Sequence, residues 1–239
     1  ATPTVIEWPA ATAISFGDTL ASSTLSGGSA SVAGTFAFTL PGTAPATGAA
    51  LQAVTFTPTD AVNYTAVSGT TSVVVNRATP VVTTWPTATT ITYGQTLASS
   101  TLSGGSASVA GTFTFTLPVT APDAGTASQS VTFTPTDAAT FHAVSATVSV
   151  TVNQATPAVT TWPTATAITY GQTLASSTLS GGAASVAGTF AFTTPSTAPD
   201  AGTASQAVTF TPTDAVNYVA ASGTTDVLVN QATATVVLG

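Results

Sequence analysis

Apolar and polar residues alternate along several short segments of the chain. Val208 and Phe210 flank Thr209, and the same alternation of valine with a hydroxyl residue occurs at 147–152. A period of two places the apolar side chains on one face of an extended strand and the hydroxyl side chains on the other. Threonine suits the outer face because its branched Cβ favours extended backbone. The pattern therefore predicts β-strands with an apolar inner face and a hydroxyl-rich outer face.

The whole pattern recurs with a fixed period of 77 residues and without insertion or deletion. The period is shown by the three tryptophans, Trp8, Trp85 and Trp162. Residues 78–154 and 155–231 differ at 16 of their 77 positions. A unit of this length can hold its own core, whereas solenoid repeats are shorter, about 20 to 50 residues. The sequence predicts three domains with the bounds 1–77, 78–154 and 155–231, which we call the first, second and third repeats.

Glycine and proline indicate where the strands of each repeat end. Each repeat carries a Gly-Gly pair, which is predicted to form a turn. Ala146 of the second repeat stands where the other two have Gly69 and Gly223, so residues 141–153 are predicted to form one long strand rather than a hairpin. Several short strands per repeat are typical of a small antiparallel sandwich or barrel. The tail, 232–239, is predicted to be the opening strand of a further repeat.

Four strings of the second repeat resemble bacterial immunoglobulin-like tandem repeats. They are ITYGQTL at 91–97, LSGG at 102–105, GTFTF at 111–115 and VTFTPTD at 131–137. The resemblance extends over all three repeats and implies an all-β chain of three tandem immunoglobulin-like antiparallel β-sandwich domains in an elongated array. Such repeats occur in large secreted or surface-anchored proteins, many of them adhesins. The resemblance therefore also implies a stalk role, an extracellular or cell-surface location in bacteria, and no catalytic residues.

The low content of charged residues and the negative net charge limit the kinds of molecule that the chain can bind. Charged residues make up 4% of the chain, the net charge is −7, and Arg77 is the one Lys or Arg. One fixed cation cannot neutralise a nucleic-acid backbone, and an anionic membrane surface is disfavoured for the same reason. No run approaches the ~18 apolar residues that a spanning helix requires. We therefore expect no nucleic acid and no membrane insertion of this segment, with the neighbouring repeats as partners and a monomeric chain.

Catalytic chemistry has few candidate residues in this composition. The chain has no Cys and no Lys, and His142 is its only histidine, which excludes thiolate, Schiff-base and repeated Ser-His-Asp sites. The other repeats have Thr65 and Val219 at the position of His142, so an exposed variable position is expected there. One position is acidic in all three repeats, and its residues are predicted to cap a turn: Asp60, Asp137 and Asp214. We expect no enzyme activity and no cofactor.

Two kinds of binding site, one for calcium and one for sugars, compete with structural roles for the same regions of the chain. Calcium takes oxygen ligands, but residues 75–80 and 152–157 at the junctions contain no carboxylate, so no metal site is expected. The exposed face of a tryptophan can stack on a sugar ring, and the candidates for such a platform are Trp8, Trp85 and Trp162. Burial against the core or the preceding repeat is the expected role of these Trp-Pro pairs.

Two functional hypotheses therefore remain. The first is a non-catalytic stalk, which the short, proline-containing junctions favour. The alternative is an array of carbohydrate-binding modules of a secreted protein, in which the tryptophans would respond to polysaccharide.

Overall fold

The computed structural model describes residues 1–234 of the chain. Within these residues the regular structure consists of β-strands and short 3-10 turns, and no α-helix is formed. The predicted all-β class is confirmed. Residues 235–239, the greater part of the tail that was predicted to open a further repeat, lie outside the described residues.

The three repeats contain equivalent strands in the same order. The strands of the first repeat are β1 (Val5–Glu7), β2 (Ala10–Ala11), β3 (Ile14–Ser15), β4 (Leu25–Ser26), β5 (Ser29–Ala30), β6 (Gly34–Phe38), β7 (Gly48–Pro58) and β8 (Val67–Asn76). Those of the second are β9 (Val82–Thr84), β10 (Thr87–Ala88), β11 (Ile91–Thr92), β12 (Leu102–Ser103), β13 (Ser106–Ala107), β14 (Gly111–Phe115), β15 (Gly125–Pro135) and β16 (Val144–Asn153). Those of the third are β17 (Val159–Thr161), β18 (Thr164–Ala165), β19 (Ile168–Thr169), β20 (Leu179–Ser180), β21 (Ala183–Ala184), β22 (Gly188–Phe192), β23 (Gly202–Pro212) and β24 (Ala221–Asn230). The 3-10 turns are Leu20–Ser22, Leu97–Ser99 and Leu174–Ser176.

One sheet of each repeat has four strands. In the first repeat the order is β3-β8-β7-β6, and the same order recurs as β11-β16-β15-β14 and β19-β24-β23-β22. The short β3 runs parallel to β8, with Ile14 paired to Val75. The long β7 is antiparallel to both of its neighbours, so that Phe56 is paired with Phe36 on β6 and with Val67 on β8. The sequence alternation of β6, β7 and β8 thereby brings their apolar side chains to one face.

The other layer of each repeat consists of short antiparallel strand pairs. In the first repeat β1 pairs with β5, and β2 pairs with β4. Pro9 separates β1 from β2 because it has no amide hydrogen to donate to the ladder. Gly27 and Gly28 separate β4 from β5 with φ angles of 70° and 85°. The predicted turn at the Gly-Gly pair is wrong: these residues interrupt one extended segment, which pairs with β2 before them and with β1 beyond them.

The short strand pairs cover the four-stranded sheet and enclose the core. The buried cluster of the first repeat is Ile14, Leu20, Phe38, Val54, Val73 and Val75. Trp8, Ala11 and Leu25, from the segments that form the short strands, pack against this cluster. The third repeat has the equivalent cluster, Ile168, Leu174, Phe192, Val208, Val227 and Val229. Two β-layers around one apolar core form an immunoglobulin-like β-sandwich, as predicted.

Most of the core predicted for the second repeat is buried. The buried side chains are Ile91, Leu97, Phe115, Val131, Phe133, Val148 and Val150. Phe113 was predicted to belong with them but is only half-buried. It lies on β14, the outermost strand of the sheet, where its ring is edge-on to Trp85 at a centroid distance of 5.6 Å.

The last strand of each repeat is uninterrupted, so Gly69 and Gly223 lie within strands rather than in turns. The predicted single strand in the second repeat is confirmed for 144–153, whereas Phe141 forms a separate parallel bridge with Ala78. Gly69 lies inside β8 and is paired with Val54. A Cβ atom at Gly69 would overlap the Trp8 ring, so the strand lies against the indole there, whereas the second repeat accommodates Ala146 at the equivalent position.

Packing divides the described chain into two compact units. The first unit comprises Ala1–Thr87, Leu102–Thr116 and Ser130–Val148. The second comprises Ala88–Thr101, Leu117–Gln129 and the described residues from Ser149 onward. The first repeat lies wholly in the first unit and the third repeat in the second, while the second repeat contributes segments to both. The domain limits predicted at 77/78 and 154/155 stay a prediction.

We expect residues 78–154 to fold when they are produced alone. This segment contains all eight strands of its repeat, including the pairing of β11 with β16 that joins its beginning to its end. Its thermal midpoint, followed by circular dichroism, should lie close to that of the full chain. A shifted segment, 117–193, is the control and should be unfolded because it lacks half of each neighbouring sheet. An unfolded 78–154 would show that the proposed limits are wrong.

Removal of a core ring should destabilise one repeat. Phe133 is 1% exposed and lies 4.9 Å from the Phe113 ring, so Phe133→Ala leaves a cavity. The expected loss is about 3 to 5 kcal/mol of unfolding free energy. Leu117→Ala, at a side chain that is 64% exposed, should change stability by less than about 0.5 kcal/mol. Urea denaturation measures both, and equal effects of the two variants would contradict the assignment of the inner face.

Candidate functional site: the joints between repeats

The three tryptophans lie edge-on against the adjacent phenylalanines. The ring centroids of Trp8 and Phe36 are 5.8 Å apart with the planes at 68°, and Phe36 lies 4.9 Å from Phe56. The equivalent Trp–Phe distances in the second and third repeats are 5.6 and 5.7 Å. Each indole is half-buried, and Trp8 and Trp162 pack against the buried cluster of their own repeat. The use of Trp8, Trp85 and Trp162 as a sugar platform stays a prediction.

The acidic position shared by all repeats caps a turn, which confirms the prediction from sequence. Asp60 Oδ1 accepts hydrogen bonds from the backbone N–H groups of Val62 and Asn63, at 3.2 and 3.1 Å. The equivalent bonds are made by Asp137 and Asp214. The Asn63 side chain, which donates to Asp60 Oδ2 at 2.8 Å, and the two backbone donors hold the pKa of Asp60 below its usual range.

The remaining titratable groups do not come together. Over residues 1–234, no group of three His, Cys, Asp or Glu side chains is placed to hold a metal ion. No pocket is found in the same part of the chain, and none of its helices is long and apolar enough to span a membrane. His142 is exposed, and its backbone N–H donates to Ala78 O at 2.9 Å. Among the described residues, the contacts that set this chain apart lie where one repeat meets the next.

The joint between the first and second repeats has an aromatic pair and one cross-repeat hydrogen bond. Phe16, just after β3, lies edge-on to Phe141 at 5.6 Å and 78°. Arg77, the last residue of the first repeat, donates through Nη1 to Ala138 O at 3.1 Å. Ala138 belongs to the turn that Asp137 caps, so the acidic turn presents its carbonyl groups to the preceding repeat.

The joint between the second and third repeats uses the same positions with different side chains. Tyr93 lies edge-on to Tyr218 at 5.3 Å and 79°. Gln154, which takes the place of Arg77, donates through Nε2 to the carbonyls of Ala215 and Val216 at 2.7 and 3.1 Å. The terminal residue of a repeat therefore binds the acidic turn of the next repeat at both joints.

The second joint has an additional polar bridge centred on Asn217. Its side-chain NH₂ donates to Asp123 Oδ1 at 3.3 Å and to Asp214 Oδ2 at 2.9 Å. Its Oδ1 accepts from Ala124 N–H at 2.8 Å. Asn217 is 8% exposed, whereas the equivalent Asn63 is exposed. Because a buried amide loses stability when its hydrogen bonds are unmade, this arrangement favours one orientation of the joint.

The bridge was not found by reasoning from the sequence. The linkers at 75–80 and 152–157 contain no carboxylate, so the sequence around the joints gives no sign of the bridge. Asp123 belongs to the loop before β15, and the fold brings it to the joint from that distance along the chain. A signal was present nonetheless, since the first joint has Ala46 and Thr140 at the positions of Asp123 and Asn217.

The chain is similar in structure to tandem domains of several known proteins. One is a fragment of Sidekick-1, immunoglobulin domains 1 to 5, with 13% identity, a TM-score of 0.30, and coverage of 96% of this chain and 59% of that fragment. Another is Drosophila N-cadherin EC1-4, with 13% identity, a TM-score of 0.31, and coverage of 97% and 75%. A three-immunoglobulin fragment of titin has 9% identity, a TM-score of 0.38, and coverage of 95% and 98%.

These similarities are remote, and the chain spans about 59% of the length of the Sidekick-1 fragment. The sequence matches no protein-family model and no curated protein. The assignment of the fold rests on the strand pairing and core of each repeat.

Acid should weaken the acidic turns. The hydrogen bonds from Asn63 and Val62 lower the pKa of Asp60 below the ordinary aspartate value of 3.8, so the carboxylate stabilises the folded state above that pH. This stabilisation is lost as the pH falls through the folded-state pKa. Urea denaturation at several pH values below 5 should therefore show a smaller acid loss for Asp60→Asn than for the unaltered chain. Asp226→Asn, at an exposed position of β24, is the control and should follow the unaltered chain. Equal acid losses in all three proteins would contradict the role of the turn.

Proposed function

We propose that the chain is a non-catalytic stalk segment that holds another domain away from a cell surface. The observation that carries the proposal is the joint. At both joints the last residue of one repeat donates a hydrogen bond to the acidic turn of the next, and an aromatic pair lies beside it. Repeats held by directional contacts in this way resist bending, which is the property that a spacer requires.

The short linkers support the same proposal. Only four residues separate Val75 of β8 from Pro80, and four separate Val152 of β16 from Pro157. Proline fixes its own φ angle, and neither linker has a run of Gly or Ser that would make it flexible. A linker of this kind transmits the orientation of one repeat to the next.

The solvent-facing strand surface supports a role that involves little binding. Threonine hydroxyls of neighbouring strands bond to each other, as between Thr39 and Thr55 or Thr193 and Thr209, each at 2.8 Å. Such pairs use up donors and acceptors that a ligand would otherwise contact. With a single Arg and no Lys, the surface also offers trypsin-like proteases almost no cleavage site. These properties suit an extracellular spacer.

The bacterial setting is supported by the resemblance of the repeats to bacterial immunoglobulin-like tandem repeats. We therefore propose a surface-anchored or secreted adhesin-type parent protein in which this segment is monomeric and its repeats contact only each other. The domain limits 1–77, 78–154 and 155–231 belong to this proposal.

Small-angle X-ray scattering tests the proposal directly. Strands of about 10 residues span about 33 Å, so three repeats in line should extend to roughly 100 Å, with a radius of gyration of about 30 Å. A compact chain of this length would have a radius of gyration of about 18 Å. Sedimentation at the same concentrations should give the mass of a monomer. A radius of gyration close to the compact value would rule out the stalk.

A further inference from the structure

The residues that meet at the two joints change together. The second joint pairs Tyr93 with Tyr218, and Asp123 with Asn217. The first joint pairs Phe16 with Phe141 and has Ala46 and Thr140 at the positions of the polar pair. In each pair, one residue belongs to one repeat and the other to the next repeat. The second joint has only the Tyr–Tyr and Asp–Asn residues, and the first joint has only the Phe–Phe and Ala–Thr residues. The joints therefore differ by complementary sets of residues rather than by scattered substitutions.

The chemistry of the polar pair explains why the sets should not be mixed. Asn217 donates one amide hydrogen to Asp123 and the other to Asp214, so a single NH₂ group lies between two carboxylates. With threonine in its place, the Asp123 carboxylate would lose this donor and remain near the negative charge of Asp214. With alanine in place of Asp123, the buried amide would lose one of its charged acceptors. The combination of alanine with threonine, as in the first joint, leaves neither a carboxylate without its donor nor a buried amide without one of its charged acceptors.

We propose that the polar pair Asp123–Asn217 and the aromatic pair beside it specify which repeat docks behind which. Asp123 and Asn217 act as positioning residues of the second joint, and the set of Phe16, Ala46, Phe141 and Thr140 forms a different, compatible joint. The repeats of this chain are thus not interchangeable, although most of their residues are identical. The proposal concerns docking between repeats and holds whether or not the segment serves as a stalk.

Spin labels can measure each joint separately because the chain has no native cysteine. Ser149 and Asp226 occupy equivalent exposed positions of β16 and β24, and cysteines at both report on the second joint. Cysteines at Ser72 and Ser149 report on the first joint. Pulsed electron paramagnetic resonance of the full chain gives the distribution of distances between the two labels, and the width of that distribution measures how firmly the joint is held.

Asp123→Ala and Asn217→Thr should each broaden the distance distribution across the second joint about twofold, because each removes a charge-assisted hydrogen bond between repeats. The distribution across the first joint should not change. Asp200→Ala is the matched control for the aspartate, because no repeat follows the third one within the described residues. Asn63→Thr is the matched control for the asparagine, because its turn is equivalent and no repeat precedes it within those residues. Neither control should alter either distribution.

The double variant Asp123→Ala/Asn217→Thr gives the decisive result. The double variant should broaden the distribution by less than the sum of the two single broadenings, which is the signature of direct coupling. Single variants with unaltered widths, strictly additive broadening, or controls that broaden the distribution as much would each overturn the proposal. A scattering result that excludes the stalk would leave these comparisons unaffected, so the two proposals can fail separately.

Discussion

Each repeat depends on a row of three aromatic rings that joins its two β-layers. In the first repeat the row is Trp8, Phe36 and Phe56, with neighbouring centroids 5.8 and 4.9 Å apart. Glycines lie beside the rings of this repeat: a Cβ at Gly69 would overlap Trp8, and a Cβ at Gly34 would lie 2.7 Å or less from the Phe56 ring and the Thr57 carbonyl oxygen. The second repeat has the same row with Ala146 at the position of Gly69, and its Trp85–Phe113 distance is 5.6 Å. The aromatic row therefore fixes the register in which the layers meet.

Alternation of apolar and hydroxyl residues predicted the strands and most of the core, because that pattern is local and has a period of two. The roles of the glycines could not be read in this way. Gly28 adopts a positive φ in the middle of an extended segment, and Gly69 faces a ring that is distant in sequence. Gly28 has the appearance of a turn glycine, whereas comparison of Gly69 with Ala146 predicts a strand but gives no sign of the ring that it faces. The difference lies in tertiary contacts, which propensity does not report.

The joint was only partly predictable for the same physical reason. The capping of the turn by Asp214 involves groups two and three residues away, so its sequence signature is local. The bridge from Asn217 to Asp123 joins residues 94 positions apart in the chain. Such a pair is recognised only when the repeats are compared with one another, because the side chains change together between the first and second joints. The function of an array of near-identical units is therefore to be sought in the few positions where the units differ.

The close similarity of the repeats also has a consequence for how the chain folds. The register of Phe113 with Phe133 in the second repeat is the register of Phe190 with Phe210 in the third, so an unfolded strand of one repeat matches the partner strand of the other. The correct partner is favoured kinetically, because β14 and β15 are separated by only the loop at 116–124 and short loops close first. Exchange between repeats would lengthen the intervening segment to residues 136–187 for β15 with β22, or to residues 116–201 for β14 with β23. The nearness of hairpin partners along the chain is thus what protects this array from swapped, misfolded states.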